Sequence, residues 1–376
     1  MTTSAALIHQ LPETFTEARA RTVADRLIYS TEAIEAVRLE LDDLALHVTL
    51  TDERARAEVS RLIDELAAEV AGARLTAQRV IRRPAAGRPA AVTGAAEPTG
   101  PPPAAPDRAA ARTVLRRAYD LLFLDLGRAA GAVERSYPPV IRREEMDLCQ
   151  YVETFPQNAY LVAELPHDRP RLEAVRGGAA LVDNSRLSEY MLNPAQCFHT
   201  YAELARTRLT ECRLLTMAGD CFRHEVPWRV GGHRLPAFSM REIVFLGTPD
   251  QVEKARDTLM DQVWQLFLAL GLEGRLETAT DPFYFSEDAA MRQFQLLAEV
   301  KYELVVEVPG GQSYAIGSFN NIRDSLCREF GITQPNGNTA HSGCAAFGLD
   351  RWVEATLARY GEDPAGWPRR LLPFCR

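Results

Sequence analysis

The sequence predicts an α+β protein, with a largely antiparallel sheet flanked by helices and a small α+β module at the N-terminus. Three observations predict it. Alternating apolar strands are joined by short turns as well as by helices. Long amphipathic helices separate several of them. A stretch dominated by Pro, Ala, Gly and Arg, from Pro84 to Pro106, cuts the chain in two.

The N-terminal part reads as follows. Thr16 to Ser30 has helical spacing. Val37, Leu39 and Leu41 alternate, Asp42-Asp43 makes a turn, and Leu44, Leu46, Val48 and Leu50 alternate again, so a hairpin is expected. Thr51-Asp52 caps a helix carrying Val59, Leu62, Ile63, Leu66 and Val70, and Gly72 ends it. After the linker, Ala109 to Gly131 predicts an amphipathic helix. Strands are expected over Arg213 to Arg223 and Arg241 to Leu246, and a long helix over Pro249 to Gly271. Ser286 is read as the cap of a helix reaching about Glu299. Tyr302 to Val308 and Ser313 to Ser318 predict strands around the Pro309-Gly310-Gly311 turn. A small-residue strand, Gly343 to Gly348, precedes a helix from Asp350 to Tyr360. The expected domains are therefore 1–83, a module; 84–108, a linker; and 109–376, the main domain.

Composition narrows the function. The 376 residues are 46% hydrophobic and 25% charged, ordinary values for a globular chain. A net charge of -8 runs against a protein that mainly grips nucleic acid. The start MTTSAALIHQLPETF has no basic segment followed by an apolar core, so no secretory leader is expected. No apolar run is long enough to span a bilayer. Seven scattered cysteines read as reduced thiols in a cytoplasmic protein rather than as a disulfide scaffold.

Three segments carry chemistry. GDCFRHEVPWRVGGHRLPAFSMREIVFLG, Gly219 to Gly247, places Phe-Arg-His-Glu at a strand end and Met-Arg-Glu in the next strand. AAFGLDRW, Ala345 to Trp352, places an Arg at a helix start, where it opposes the helix dipole. ERSYPPVI, Glu134 to Ile141, places two prolines at a helix end. In order and content these resemble the three signature motifs of class II aminoacyl-tRNA synthetases, and within them the seryl enzymes. The resemblance covers about Ala109 to Arg376 and implies a class II synthetase-like catalytic domain.

The resemblance implies roles for particular side chains. Arg223 would clamp the ATP α-phosphate, a task suited to a planar, bidentate guanidinium. Glu225 would accept from the adenine amino group and Phe238 would stack on the ring. Arg351 would hold the γ-phosphate. Ser318 and Glu303 would sit near phosphate-bound Mg²⁺. Ala315 stands where the seryl enzymes have a glutamate, so one magnesium ligand is absent or replaced. Methanogen-type seryl enzymes and the related amino acid:carrier protein ligases hold a zinc with two Cys and one Glu. The matching residues are Cys197 in NPAQCFHTY, Glu242 in SMREIVFLG and Cys344 in HSGCAAFG. Cysteine spacing alone points to no metal, since a lone buried Cys is ordinarily a small hydrophobe.

The implied enzyme is an ATP-dependent ligase that activates a small amino acid, glycine or alanine, as its adenylate. Two acceptors compete. One is the phosphopantetheine thiol of a carrier protein, which CFRHE, SMREIVFLGTPDQVEKAR and SFNNIRDSL favour by their resemblance to the carrier-protein ligases. The other is tRNA, as in a seryl-type synthetase. The acidic balance and the lack of a long basic hairpin speak against tRNA. A catalytically silent regulatory paralogue is the third reading, opposed by Arg223, Arg351 and the three metal positions. Pro138 and Pro139 fall where the family has a dimer-interface proline, so a homodimer is expected.

Overall fold

Residues 5–72, 78–85, 107–281, 283–285 and 289–375 are described in the computed structural model. They belong to two units: residues 1–81 with 225–234 and 277–302, and residues 82–224 with 235–276 and 303–376. Most of the stretch read as a linker over 84–108 lies outside the described residues, as does Ser286.

In the first unit the expected hairpin forms, and a third strand joins it. Strands β1 (Ala5–Gln10), β2 (Ile34–Glu40) and β3 (Ala45–Leu50) make an antiparallel sheet in the order β1-β3-β2. The sequence reading did not foresee β1. Only Leu7 of its six residues is fully buried, so its alternation is faint. Thr16 caps the helix Glu17–Leu27, and Asp52 accepts from the Arg54 N–H at the start of the next helical segment. The helix Arg56–Ala71 brings Val59, Ile63 and Val70 onto Leu7, Val23, Leu27, Leu46 and Leu50, which together form one core.

The second unit is built on a sheet. Two short strands, β4 (Val133–Arg135) and β5 (Val140–Arg142), are followed by β6 (Leu161–Glu164), β7 (Arg186–Leu192), β8 (Arg213–Phe222) and β9 (Ala237–Gly247). Then come β10 (Glu273–Thr278), β11 (Lys301–Glu307), β12 (Ser313–Arg323) and β13 (His341–Gly348). Seven of these are neighbours in an eight-stranded sheet, in the order β10-β11-β12-β13-β9-β8-β4. The pairs β8–β9, β9–β13 and β12–β13 are antiparallel, whereas β4 runs parallel to β8. The prolines of ERSYPPVI therefore follow a strand, not a helix, because the helix Arg108–Ala129 stops earlier. A small sheet, β5-β7-β6, was also unforeseen.

Helices cover the main sheet. Arg108–Ala129, Pro249–Ala269 and Leu349–Tyr360 bury an aromatic core. Phe123 stacks on Phe347 at 4.2 Å, and Trp352 meets Phe123 edge-on at 5.2 Å. Each such ring contributes about 1.5–3 kcal/mol of burial. Thr248 and Gln251 form a capping box that fixes where the long helix begins after β9. Among the described residues no helix is long and apolar enough to cross a membrane. All seven cysteines are free.

Close backbone approach is critical beside Cys344. A Cβ on Gly343 would run into the Phe245 ring and the Asn320 carbonyl oxygen. Gly343→Ala is expected to lose roughly 1–3 kcal/mol of stability, measured as a lower midpoint of urea unfolding.

Candidate active site

Three potential ligands converge on one face of the sheet. In register, Val244 of β9 faces Cys344 of β13. Glu242, two residues earlier, shares that face of the pleat. Cys197 opens the short helix Cys197–Glu203. The two sulfurs and a carboxylate oxygen of Cys197, Glu242 and Cys344 lie within 4.8 Å of one another. The residues are 7, 1 and 5% exposed, in that order.

Hydrogen bonds orient this cluster. The Gln196 backbone N–H donates to Glu242 Oε1 at 2.7 Å. Asn320 Nδ2 donates to Cys344 Sγ at 3.3 Å. Burial pushes the Glu242 carboxyl above its ordinary range, against hydrogen bonds from Cys197 and the Gln196 N–H and the charge of Arg223. The Cys197 thiol is raised well above its usual value by its hydrogen bond with Cys344, by burial and by Glu242. Cys197 and Glu242, buried side by side out of water, resist ionising. A buried cation reverses that preference, and two thiolates with a carboxylate suit zinc.

Each residue assigned to the nucleotide has its own local partners. Arg223 follows β8, and its guanidinium sits 5.2 Å over the Phe238 ring. Its Nε and Nη2 both donate to the Pro194 carbonyl at 3.3 Å. Phe238 is the register partner of Cys221. The next residue, Ser239, donates its N–H to the Asp350 carboxylate at 2.7 Å. Asp350 precedes Arg351 in the first turn of Leu349–Tyr360. Arg351 Nη1 donates to the Ala315 carbonyl at 2.9 Å. One strand end, Phe238-Ser239, thus links both arginines. Ser318 Oγ accepts from Asn320 Nδ2 at 3.2 Å, the same nitrogen that reaches Cys344. Glu303 is half-buried on β11. Glu225, in the loop after β8, has an 8% exposed side chain held at 2.8 Å by Arg234.

Sequence reading passed over Asn320, Gln196 and Asp350. Asp350 had a signal, being an acidic residue in a helix's first turn, favourable to the dipole. Asn320 had none, since an Asn in a strand next to another Asn, Asn321, looks like surface. His199 Nε2 meets the Pro138 carbonyl at 3.1 Å.

No family model matches the chain. It is 32% identical over 251 residues to the amino acid–acyl-carrier-protein ligase 1 of Bradyrhizobium diazoefficiens, covering 65% of this chain and 76% of that protein. It is 30% identical over 292 residues to the type-2 serine–tRNA ligase of Methanopyrus kandleri, covering 70% of this chain and 54% of that protein. The fold is similar to the seryl-tRNA synthetase of M. kandleri solved with A. aeolicus tRNASec, with a TM-score of 0.65 and 22% identity over 99% of this chain and 77% of that one. The order of motifs, the mixed sheet and this similarity agree, and the chain belongs to the amino acid–acyl-carrier-protein ligase family, on a class II synthetase fold.

Proposed function

We propose that this ATP-dependent ligase activates a small amino acid, glycine or alanine, and passes it to the phosphopantetheine thiol of a carrier protein. The observation that carries the reading is the gathering of Cys197, Glu242 and Cys344 within 4.8 Å of one another, with Arg223 close enough to act on the Glu242 carboxyl. The donor set fits a zinc ion, since two thiols and a carboxyl are buried together within ligand distance of one another. Cys197, Glu242 and Cys344 would hold that ion, which when bound supplies an open fourth position for the substrate's neutral α-amino group.

This chain's own residues do the rest by position and charge. The amino acid carboxylate attacks the α-phosphorus and pyrophosphate leaves. Arg223 neutralises the charge that builds on the α-phosphate, and Arg351 holds the γ-phosphate. Phe238 offers its ring to adenine once Arg223 swings to phosphate, and Glu225 accepts from the exocyclic amine. Ser318 and Glu303 would face phosphate-bound Mg²⁺, while Ala315 offers no carboxylate. The carrier thiolate then attacks the aminoacyl carbonyl, and AMP leaves with the bonding electrons. No dedicated general base is required. The homodimer belongs to the same proposal, with Pro138 and Pro139 at its interface.

Amino acid-dependent pyrophosphate exchange tests the first step, with glycine and alanine expected to be the active substrates. Silence with every small amino acid would overturn it and favour the regulatory paralogue. One zinc per chain is expected in the same preparation. Cys197→Ala should lower zinc occupancy and exchange together, by about 10–100-fold or more. Arg223→Lys should lower kcat by about 10²-fold through loss of bidentate phosphate contact. The acceptor is read by parallel transfer to holo-carrier protein and to tRNA. Transfer to the carrier alone is expected, and transfer to tRNA alone would reassign the enzyme.

A further inference from the structure

The loop of residues 225–234 and the N-terminal three-stranded module share one unit. Trp228 lies at the middle of this loop, in the turn Pro227–Arg229. Its ring packs on the module's core of Leu7, Leu27, Leu46, Val59 and neighbours. The turn itself rests against β2. Among the described residues the buried indole N–H has no hydrogen-bond acceptor, and the ring is held by apolar contact. Next in sequence, the charge of Arg229 acts on Asp25, in the last turn of the module's first helix, and on Tyr29, just past its end. Burial pushes the Asp25 carboxyl up, and Arg292 and Arg229 pull it back. Beyond the turn, Gly231 and Arg234 exchange backbone hydrogen bonds at 2.9 and 3.0 Å, which closes the loop into a tight hairpin. Gly231 and Gly232 have φ of 143° and 54°, which favour glycine there. Arg234 then reaches back to Glu225 at 2.8 Å.

We infer that the N-terminal module is the seat of the adenine loop, and that Trp228 and Arg229 are positioning residues that hold Glu225 ready for the nucleotide. The inference rests on the proposed role of Glu225. A free ten-residue loop would have to lose its backbone freedom on binding ATP, at about 1–2 kcal/mol per residue ordered. Pinning its midpoint to a folded module removes part of that loss beforehand. The module therefore acts in amino acid activation without touching substrate. Glu225 would exchange its bond to Arg234 for the adenine amine, while Trp228 stays in place.

The test uses the full chain and two readouts. ATP binding is measured directly by calorimetry, and amino acid activation by pyrophosphate exchange. Trp228→Ala is expected to weaken ATP binding and to raise KM for ATP about tenfold, with kcat and KM for the amino acid changing less than about twofold. Trp228→Phe should restore most of the loss. Arg229→Gln and Asp25→Asn should each raise KM for ATP, and the double variant should cost less than the product of the two. Circular dichroism checks that each variant is folded; if Trp228→Ala is not, the Asp25–Arg229 cycle decides. Unchanged ATP affinity in folded Trp228→Ala, or multiplicative effects of Asp25→Asn and Arg229→Gln, would overturn the inference. Because calorimetry reads ATP without turnover, a wild type that binds ATP but exchanges no pyrophosphate would fail the proposed function and leave this test valid.

Discussion

Strand β9 is hydrogen-bonded on both sides, to β8 and to β13, and its pleat sends neighbouring side chains to opposite faces. Glu242 goes to the face where Cys344 lies. Arg241 goes to the other, where its Nε donates to Asp120 at 2.6 Å and Nη2 lies 3.5 Å from Glu134. A slip of one residue would exchange them, placing a guanidinium among the thiols and a carboxylate against the helix Arg108–Ala129. The site therefore depends on one register. The register is held by the small residues of β13, Gly343, Ala345 and Ala346, which let the two strands and the Phe245 ring come close.

That same strand carries the second half of the chemistry. Phe238 and Ser239 lie at its entry, where Arg223 stacks and Asp350 accepts a backbone hydrogen bond. In the proposed function, Arg223 and Arg351 would meet phosphate oxygens, and the buried Cys197, Glu242 and Cys344 would meet a cation. One amide nitrogen of Asn320 contacts Ser318 and Cys344. Ser318, proposed to face Mg²⁺, and Cys344, proposed to hold zinc, therefore share one hydrogen-bonding amide.

Much of this was legible in the sequence. Thr51-Asp52 announced a helix start, and the structure uses Asp52 as a cap; Thr16 and Thr248 also cap their helices, without having been read as caps. The hairpin was readable because two alternating runs flank Asp42-Asp43. Strands β1, β6 and β7 were not readable. Leu161 and Leu187 point to solvent and Leu7 alone is buried in β1, so no period rises above its surroundings. The segments assigned to β9 and β12 were read too short, because where a strand ends is set by pairing with neighbours distant in the chain. The metal donors sit far apart in the chain and obey no local spacing. Resemblance supplied them, and burial with convergence in the fold then gave the reading its physical content. Trp228 lies inside the quoted segment Gly219 to Gly247 but drew no reading of its own, since its proposed role depends on a surface almost two hundred residues away.

A crystal structure with a non-hydrolysable glycyl- or alanyl-adenylate analogue tests the account most directly. The analogue's amino nitrogen is expected on a zinc held by Cys197, Glu242 and Cys344. The Arg223 guanidinium is expected on the phosphate mimic, and adenine against Phe238. An analogue bound elsewhere, or a metal-free cluster with its amino group turned away, would contradict it.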